Sequence, residues 1–274
     1  MSKKSIKILS AEPDTFFEYL KKIWEYKNLI LSFAVKDIKT KYAQTFLGIS
    51  WTLLQPLTGV IIFSLFFGFV LNIREPQFSY PVFALIGFSA WNLWSSIFLQ
   101  GSHSIFEQRN LISKIYFPKI ILPLSKVITS SFDFLISSFL LIFLILLFQV
   151  EVSWRVILLP LFFLLQIAFA VSCALILSVI SIRKRDFFHI IPYILNFGIW
   201  LTPIFYTIQI FPEKWRFIFN YNPIALCIEG YRWCIFDRYL LDPKLFYSIP
   251  IILIVICAGI ILIKNNEDQF VEKI

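Results

Sequence analysis

Asp133 is the one carboxylate set deep in a long apolar run of this chain, with Ser130 and Ser137 at helical spacing on either side of it. A charged group in such a run is costly and tends to face the interior of a helix bundle. It therefore has two readings: it lines a polar conduit, or it is satisfied by Ser130, Ser137 or a neighbouring helix. Elsewhere the sequence is poor in chemistry. The two histidines, His103 and His189, have no acid at a recognisable spacing, and the eight glycines are scattered rather than gathered into a phosphate-cradling loop. Four cysteines (Cys173, Cys227, Cys234 and Cys257) form no CxxC or Cys/His cluster, so zinc is not expected. Cys227 and Cys234 are seven residues apart, ~10 Å along a helix and too far for a disulfide, so all four read as buried thiols. No nucleotide-hydrolysing or metal-dependent site, and no cofactor, is expected within this chain.

The elements around these residues are those of a membrane. The 274 residues are 58% hydrophobic and 15% charged, with a mean hydropathy of +0.77. A soluble domain usually carries about 25% charge. The apolar residues gather into six runs near the ~20 residues that a helix needs to cross a bilayer: 51–72, 81–102, 120–148, 156–182, 190–208 and 246–263. Pro192 and Pro203 interrupt the fifth. The net charge of +8 has a nucleic-acid reading and a lipid reading, and so apolar a chain favours Lys and Arg beside anionic lipid, with no nucleic-acid partner. The first long run begins only near Trp51, too late for a cleavable signal.

Six spans place both termini on one side. The segments 1–50, 103–119, 183–189 and 264–274 carry 17 Lys and Arg, against 7 in 73–80, 149–155 and 209–245, and Arg183-Lys184-Arg185 is compact. The positive-inside rule then puts both termini in the cytoplasm. In the front segment, a capping-box pattern at Thr15-Phe16-Phe17-Glu18 precedes apolar residues at three-, four- and seven-residue steps up to Tyr42. It reads as a helix lying in the membrane interface, or as one packed on a partner. Residues 209–245 mix Phe, Trp and Tyr with Lys214, Arg216, Glu229, Arg232, Asp237 and Arg238, a stretch too charged to span and suited to the outer interface. Pro212 and Pro223 each start or break a helix there. Trp215, Tyr221, Tyr231 and Trp233 would hold this pair at the outer leaflet, as a gate that moves or as a static anchor. Aromatics make up 19% of the chain; most serve as lipid-facing filler and belt, though rings lining a passage would let a glycan slide along their faces.

Three groups of residues resemble one family, the permease subunits of type-2 ABC exporters of O-antigen, capsule and teichoic-acid polysaccharides. The first is Lys36-Asp37-Ile38-Lys39-Thr40-Lys41-Tyr42, then Leu47-Gly48, Trp51 and Pro56, with Lys where Arg is common. Asn110-Leu111-Ile112-Ser113-Lys114-Ile115-Tyr116-Phe117-Pro118, followed by Pro123, is similar to the family's cytoplasmic coupling element. Third come Arg185-Asp186, Thr202-Pro203-Ile204-Phe205-Tyr206, Pro212, Asn222-Pro223 and Arg232. The match covers nearly the whole chain, in order.

That resemblance implies an all-α polytopic protein of the cytoplasmic (inner) membrane. It would have six transmembrane helices, an N-terminal amphipathic interface helix (1–50), a transmembrane domain (51–263) and a cytoplasmic tail (264–274). Within the domain lie a coupling loop (103–119) and short outer-leaflet gate helices (209–245). It implies a homodimer with two copies of a separate ATP-binding subunit, which carries the ATP and Mg, and a lipid-linked polysaccharide as cargo. Glu107, Arg109, Asn110, Lys114, Tyr116, Phe117 and Pro118 would couple to the ATPase. Tyr42, Trp51, Asp133, Asn196, Thr202 and Tyr206 become candidates for the pore or lateral gate, and Trp215, Tyr221, Glu229, Tyr231 and Arg232 for the outer gate. Two alternatives stay open: a type-2 exporter of a drug or small lipid, and, more remotely, a membrane-embedded transferase.

Overall fold

A computed structural model describes residues 16–43, 45–66, 79–115, 117–184 and 186–266. Thr15 of the capping box, Tyr116 and Arg185 lie outside them. The described residues are helical, without a strand; one isolated antiparallel bridge pairs Val152 with Phe236.

In chain order the helices are α1 (Phe16–Glu25), α2 (Lys27–Ala43), α3 (Ser50–Phe63), α4 (Tyr80–Glu107), α5 (Arg109–Ile112), α6 (Ile121–Leu147), α7 (Leu159–Arg183), α8 (Phe187–Gly198), α9 (Phe217–Asn220), α10 (Pro223–Ile235) and α11 (Ile249–Asn265). Among the described residues, four stretches are long and apolar enough to cross a membrane: Tyr80–Glu107, Ile121–Leu147, Trp154–Ile182 and Pro243–Asn265. Ser50–Phe66 and Phe187–Gly198 are shorter.

Proline position differs between these two sets, though α3 is described only as far as Phe66. The long helices α4, α6, α7 and α11 carry Pro81, Pro123, Pro160 and Pro250 in their first turn, where the missing N–H would have no intrahelical acceptor in any case. The short helices α3 and α8 carry Pro56 and Pro192 in their interior, where each proline removes a rung of the ladder. The fifth apolar run, expected over 190–208, is thus a helix only as far as Gly198. Turns follow through Tyr206, because Pro203 disfavours helical backbone at Thr202.

At the centre stands α4, with 72% of its apolar window buried inside the protein; the figure is 17% for α6 and 22% for α11, which form the periphery. α6 and α7 pack on α4, α11 packs on α7, and α10 lies across α4 and α7. Small residues permit the closest approach. A Cβ on Gly259 of α11 would sit 2.9 Å from the Ser172 carbonyl oxygen and 3.0 Å from its Cα on α7, so the helices touch backbone to backbone.

Candidate functional site

Two polar constructions sit in this apolar frame. The first surrounds Asp133, where α2, α3, α4 and α6 enclose a cavity of about 140 Å³. Lys41 Nζ lies 2.5 Å from one carboxylate oxygen of Asp133, and the Tyr42 hydroxyl donates to the other at 2.5 Å. That hydroxyl is also 2.7 Å from Thr52 Oγ1, which fastens α3 to the same group. One turn earlier on α2, Asp37 accepts from Lys126 Nζ at 2.8 Å, and Lys126 stands 4.0 Å from Glu107.

The spacings make these contacts coherent. Positions 37 and 41 share one face of α2, as 126 and 133 share one face of α6. The two helices are therefore joined by two ion pairs of opposite polarity. Asp133 is satisfied by α2, 91 residues or more away in sequence. Burial, and then the bond to Asp133, push the Tyr42 phenol up to about 12, so it stays a donor across the physiological range.

The second construction surrounds Arg232, whose side chain is entirely buried. Nη1 donates to the Pro203 carbonyl and to Glu229 Oε1, each at 2.7 Å, and Nη2 donates to the Ile204 carbonyl at 2.6 Å. The guanidinium lies 3.4 Å from the centre of the Phe83 ring. The second Glu229 oxygen accepts from the Tyr239 hydroxyl at 2.5 Å. Beside it, Tyr231 donates to Gln166 at 2.7 Å and Gln166 to the Ala90 carbonyl at 2.5 Å. Two neighbouring networks thus clamp α10: Arg232 and Glu229 tie it to α4 and to the turn after α8, and Tyr231 ties it through Gln166 to α7 and α4. Gly87 makes room for it: a Cβ there would meet the Ile204 carbonyl at 2.5 Å and Arg232 Nη2 at 2.9 Å.

This corrects the expected surface position of Glu229, Tyr231 and Arg232. All three are buried, because the carbonyls freed by the turn at Pro203 and the acid one turn back on α10 receive the two terminal nitrogens of the guanidinium inside the protein, leaving Nε alone without a partner among the described residues. Asn222 caps α10, its Oδ1 accepting from Ile224 N at 2.9 Å. Trp215 and Tyr221 are exposed as expected, and Tyr221 packs on Tyr247 with ring centres 6.0 Å apart.

Trp51 and Asp133 line the cavity, Trp51 half-exposed, and Tyr42 joins them through its bond to Asp133. Asn196, Thr202 and Tyr206 do not join them. Asn196 is exposed on α8. Thr202 is buried beside Asn222, and Tyr206 donates to the Trp200 carbonyl at 2.6 Å. α3 does reach this turn at its far end, where Phe63 stacks on Phe205 with ring centres 3.5 Å apart.

In the 103–119 segment, α4 continues to Glu107 before the single turn of α5. Glu107, Arg109, Asn110 and Lys114 are exposed, while Phe117 and Pro118 are buried. Phe117 packs near Phe33 of α2, ring centres 6.2 Å apart, so an apolar anchor holds a polar outer face. Of the cysteines, Cys227 and Cys234 are buried as expected and all four are free, but Cys257 is exposed on the peripheral α11.

Gln166 and Ser89 escaped the sequence reading. Gln166 had a signal, being the one amide in the 156–182 run; Ser89 had none, since serine is common in membrane helices.

A family model described as ABC-2 type transporter matches residues 28–236. The O-antigen export system permease protein RfbA of Myxococcus xanthus is 26% identical over 258 residues, covering 93% of this chain and 98% of that protein. RfbA of Klebsiella pneumoniae is 27% identical over 209 residues, 75% of this chain and 79% of that protein. The polysialic acid transport protein KpsM of Escherichia coli is 22% identical over 258 residues, 87% and 93% of the two chains. With a match that runs from α2 through α10 and takes in Asp133 and Arg232, the chain belongs to the ABC-2 type transporter family.

Proposed function

We propose that this chain is the membrane-spanning permease subunit of an ATP-driven exporter that moves lipid-linked polysaccharide across the cytoplasmic membrane. The observation that carries it is the near full-length similarity to an O-antigen export permease, 98% of which is covered. KpsM, named for polysialic acid transport, supports the same class of cargo. Two permeases work with two copies of a separate ATP-binding subunit, which supplies ATP and Mg. Both termini face the cytoplasm, in keeping with the 17 Lys and Arg of the segments on that side. The cargo headgroup enters laterally near α3 and α8, and Trp215 and Tyr221 sit at the outer interface.

A strain lacking this chain is expected to lose polymer from its surface and to accumulate lipid-linked polymer inside. Normal surface polymer in that strain would refute the reading.

The coupling face is the exposed one on α5. Arg109 lies over the Phe106 ring at 5.0 Å while its charge stays in solvent, so Arg109→Glu reverses a surface charge without disturbing the buried Phe117 anchor. That variant should insert normally yet pull down severalfold less ATPase subunit, with a matching drop in export. Unchanged association together with unchanged export would remove this turn from the coupling surface.

A further inference from the structure

α6 and α7 follow each other in the chain, yet each packs along α4 far more than on the other. Where the end of α6 faces the start of α7, they leave a cavity of about 400 Å³. Ile86 of α4 and Tyr231 and Ile235 of α10 form its floor, and Leu141, Ile145 and Phe163 stand in its sides. Twelve of its fifteen wall residues are hydrocarbon. Of the other three, Ser138 donates to the Phe134 carbonyl at 2.8 Å, Tyr231 donates to Gln166 at 2.7 Å, and the Ser89 hydroxyl has no accessible surface. Such a wall offers water no hydrogen bonds, and left bare it forfeits its dispersion contacts. A hydrocarbon occupant answers both.

Shape and charge decide which occupant. On α6 the wall runs from Phe134 to Ile145, ~17 Å along the axis at about 1.5 Å per residue. Spread over that length, about 400 Å³ is a slot narrower than a helix with its side chains, about 10–12 Å across. A helix of a second copy does not fit inside it; a single acyl chain does. Leu135 and Ile142 on its rim are more than half exposed, so the slot opens on the lipid-facing side of α6. At its far end stands Val152, bridged to Phe236, and the surface there carries two cations and two anions. Arg155 is engaged by the carbonyls of Phe236 and Asp237 and stands 3.9 Å from the Asp237 carboxylate. Arg238 lies 3.9 Å from Glu151, both well exposed, a gap longer than a hydrogen bond. An anionic headgroup would find no net positive charge here, whereas a zwitterion places its phosphate on Arg238 and its ammonium on Glu151. Exposed Trp154 beside them suits the headgroup level. α3 and α8, where the cargo is placed above, supply none of the wall. We propose that this slot holds one acyl chain of a resident zwitterionic phospholipid with a primary amine, whose headgroup sits on Arg238 and Glu151. The chain wedges between α6 and α7 and rests on Phe134, the neighbour of Asp133 and a wall residue of both cavities.

The test places the permease with its ATPase subunit in vesicles of equal parts phosphatidylethanolamine and phosphatidylglycerol. The probe is a trace of phosphatidylethanolamine with a photoreactive diazirine on one acyl chain, and adducts are mapped by peptide mass spectrometry. Ile86 and Ile235, 3% and 4% exposed, lie out of reach of lipid that merely surrounds the protein, and the proposal predicts adducts on both. Ile145→Trp fills the slot and should abolish them. Phe139→Trp, on the exposed face of α6 and outside the wall, should leave them unchanged. Arg238→Glu changes a solvent-exposed side chain and should weaken them about 2–5-fold, the worth of an exposed ion pair. A phosphatidylglycerol probe should label both positions less than the phosphatidylethanolamine probe. No adducts at Ile86 and Ile235 in the wild type (as for a slot covered by a second copy), adducts that survive Ile145→Trp, or labelling indifferent to headgroup and to Arg238→Glu would each overturn it. Should Ile145→Trp fail to assemble, Arg238→Glu and the headgroup comparison decide. None of these readouts requires export, so their failure is separable from failure of the export reading in the deletion strain.

Discussion

Arg232→Met is expected to destabilise the protein by about 3–5 kcal/mol, because it leaves the Glu229 carboxylate buried without its cation. The substitution also frees the carbonyls of Pro203 and Ile204, which the guanidinium engages at 2.7 and 2.6 Å. Arg232→Lys should lose less: an ammonium keeps the charge but cannot reach acceptors on two sides as a planar fork does. The double variant Arg232→Met with Glu229→Leu should be more stable than Arg232→Met alone, since the uncompensated charge is then gone. Thermal unfolding of the purified protein in detergent measures all three. If Arg232→Met unfolds at the wild-type midpoint, the Arg232 network does not hold α10 against α4 and the turn after α8.

The second large effect belongs to the pairs joining α2 to α6. Asp133→Lys sets a second cation where Lys41 now lies 2.5 Å from a carboxylate, and should lower surface polymer at least ~10-fold. Adding Lys41→Asp to that variant restores opposite charges across the same gap. It should recover most, though not all, of the export, because the Tyr42 hydroxyl loses the acceptor it now has at 2.5 Å. A double-mutant cycle on export isolates the pair from each residue's other contacts. Equal loss in the single and swapped variants would show that the charge at 133 acts alone and that the link to α2 carries none of the effect.

These two constructions differ in how far the sequence reveals them. Asp133 announces itself as an acid in an apolar run, and Lys41 and Tyr42 belong to a recognisable segment. That the three meet is a fact of tertiary packing across more than ninety residues. Arg232 is the opposite case. Its neighbourhood is rich in charge and aromatics, which from composition reads as a surface, and only the turn at Pro203 supplies the carbonyls that make burial of the guanidinium affordable. The long helices were legible because their prolines lie in first turns. The fifth run was not, because apolar composition continues through Leu201 to Ile210 while Pro192 and Pro203 decide how much of it stays helical.

The most direct measurement of the central claim is ATP-dependent movement of labelled lipid-linked polymer across vesicles that contain only this permease and its ATPase subunit. The account predicts that polymer becomes protected on the far side when ATP is added, that an ATPase unable to hydrolyse abolishes this, and that Asp133→Lys reduces it at least ~10-fold. Hydrolysis of ATP with no polymer crossing the bilayer, in vesicles where both subunits are assembled, would contradict the claim that this chain is the path the polysaccharide takes.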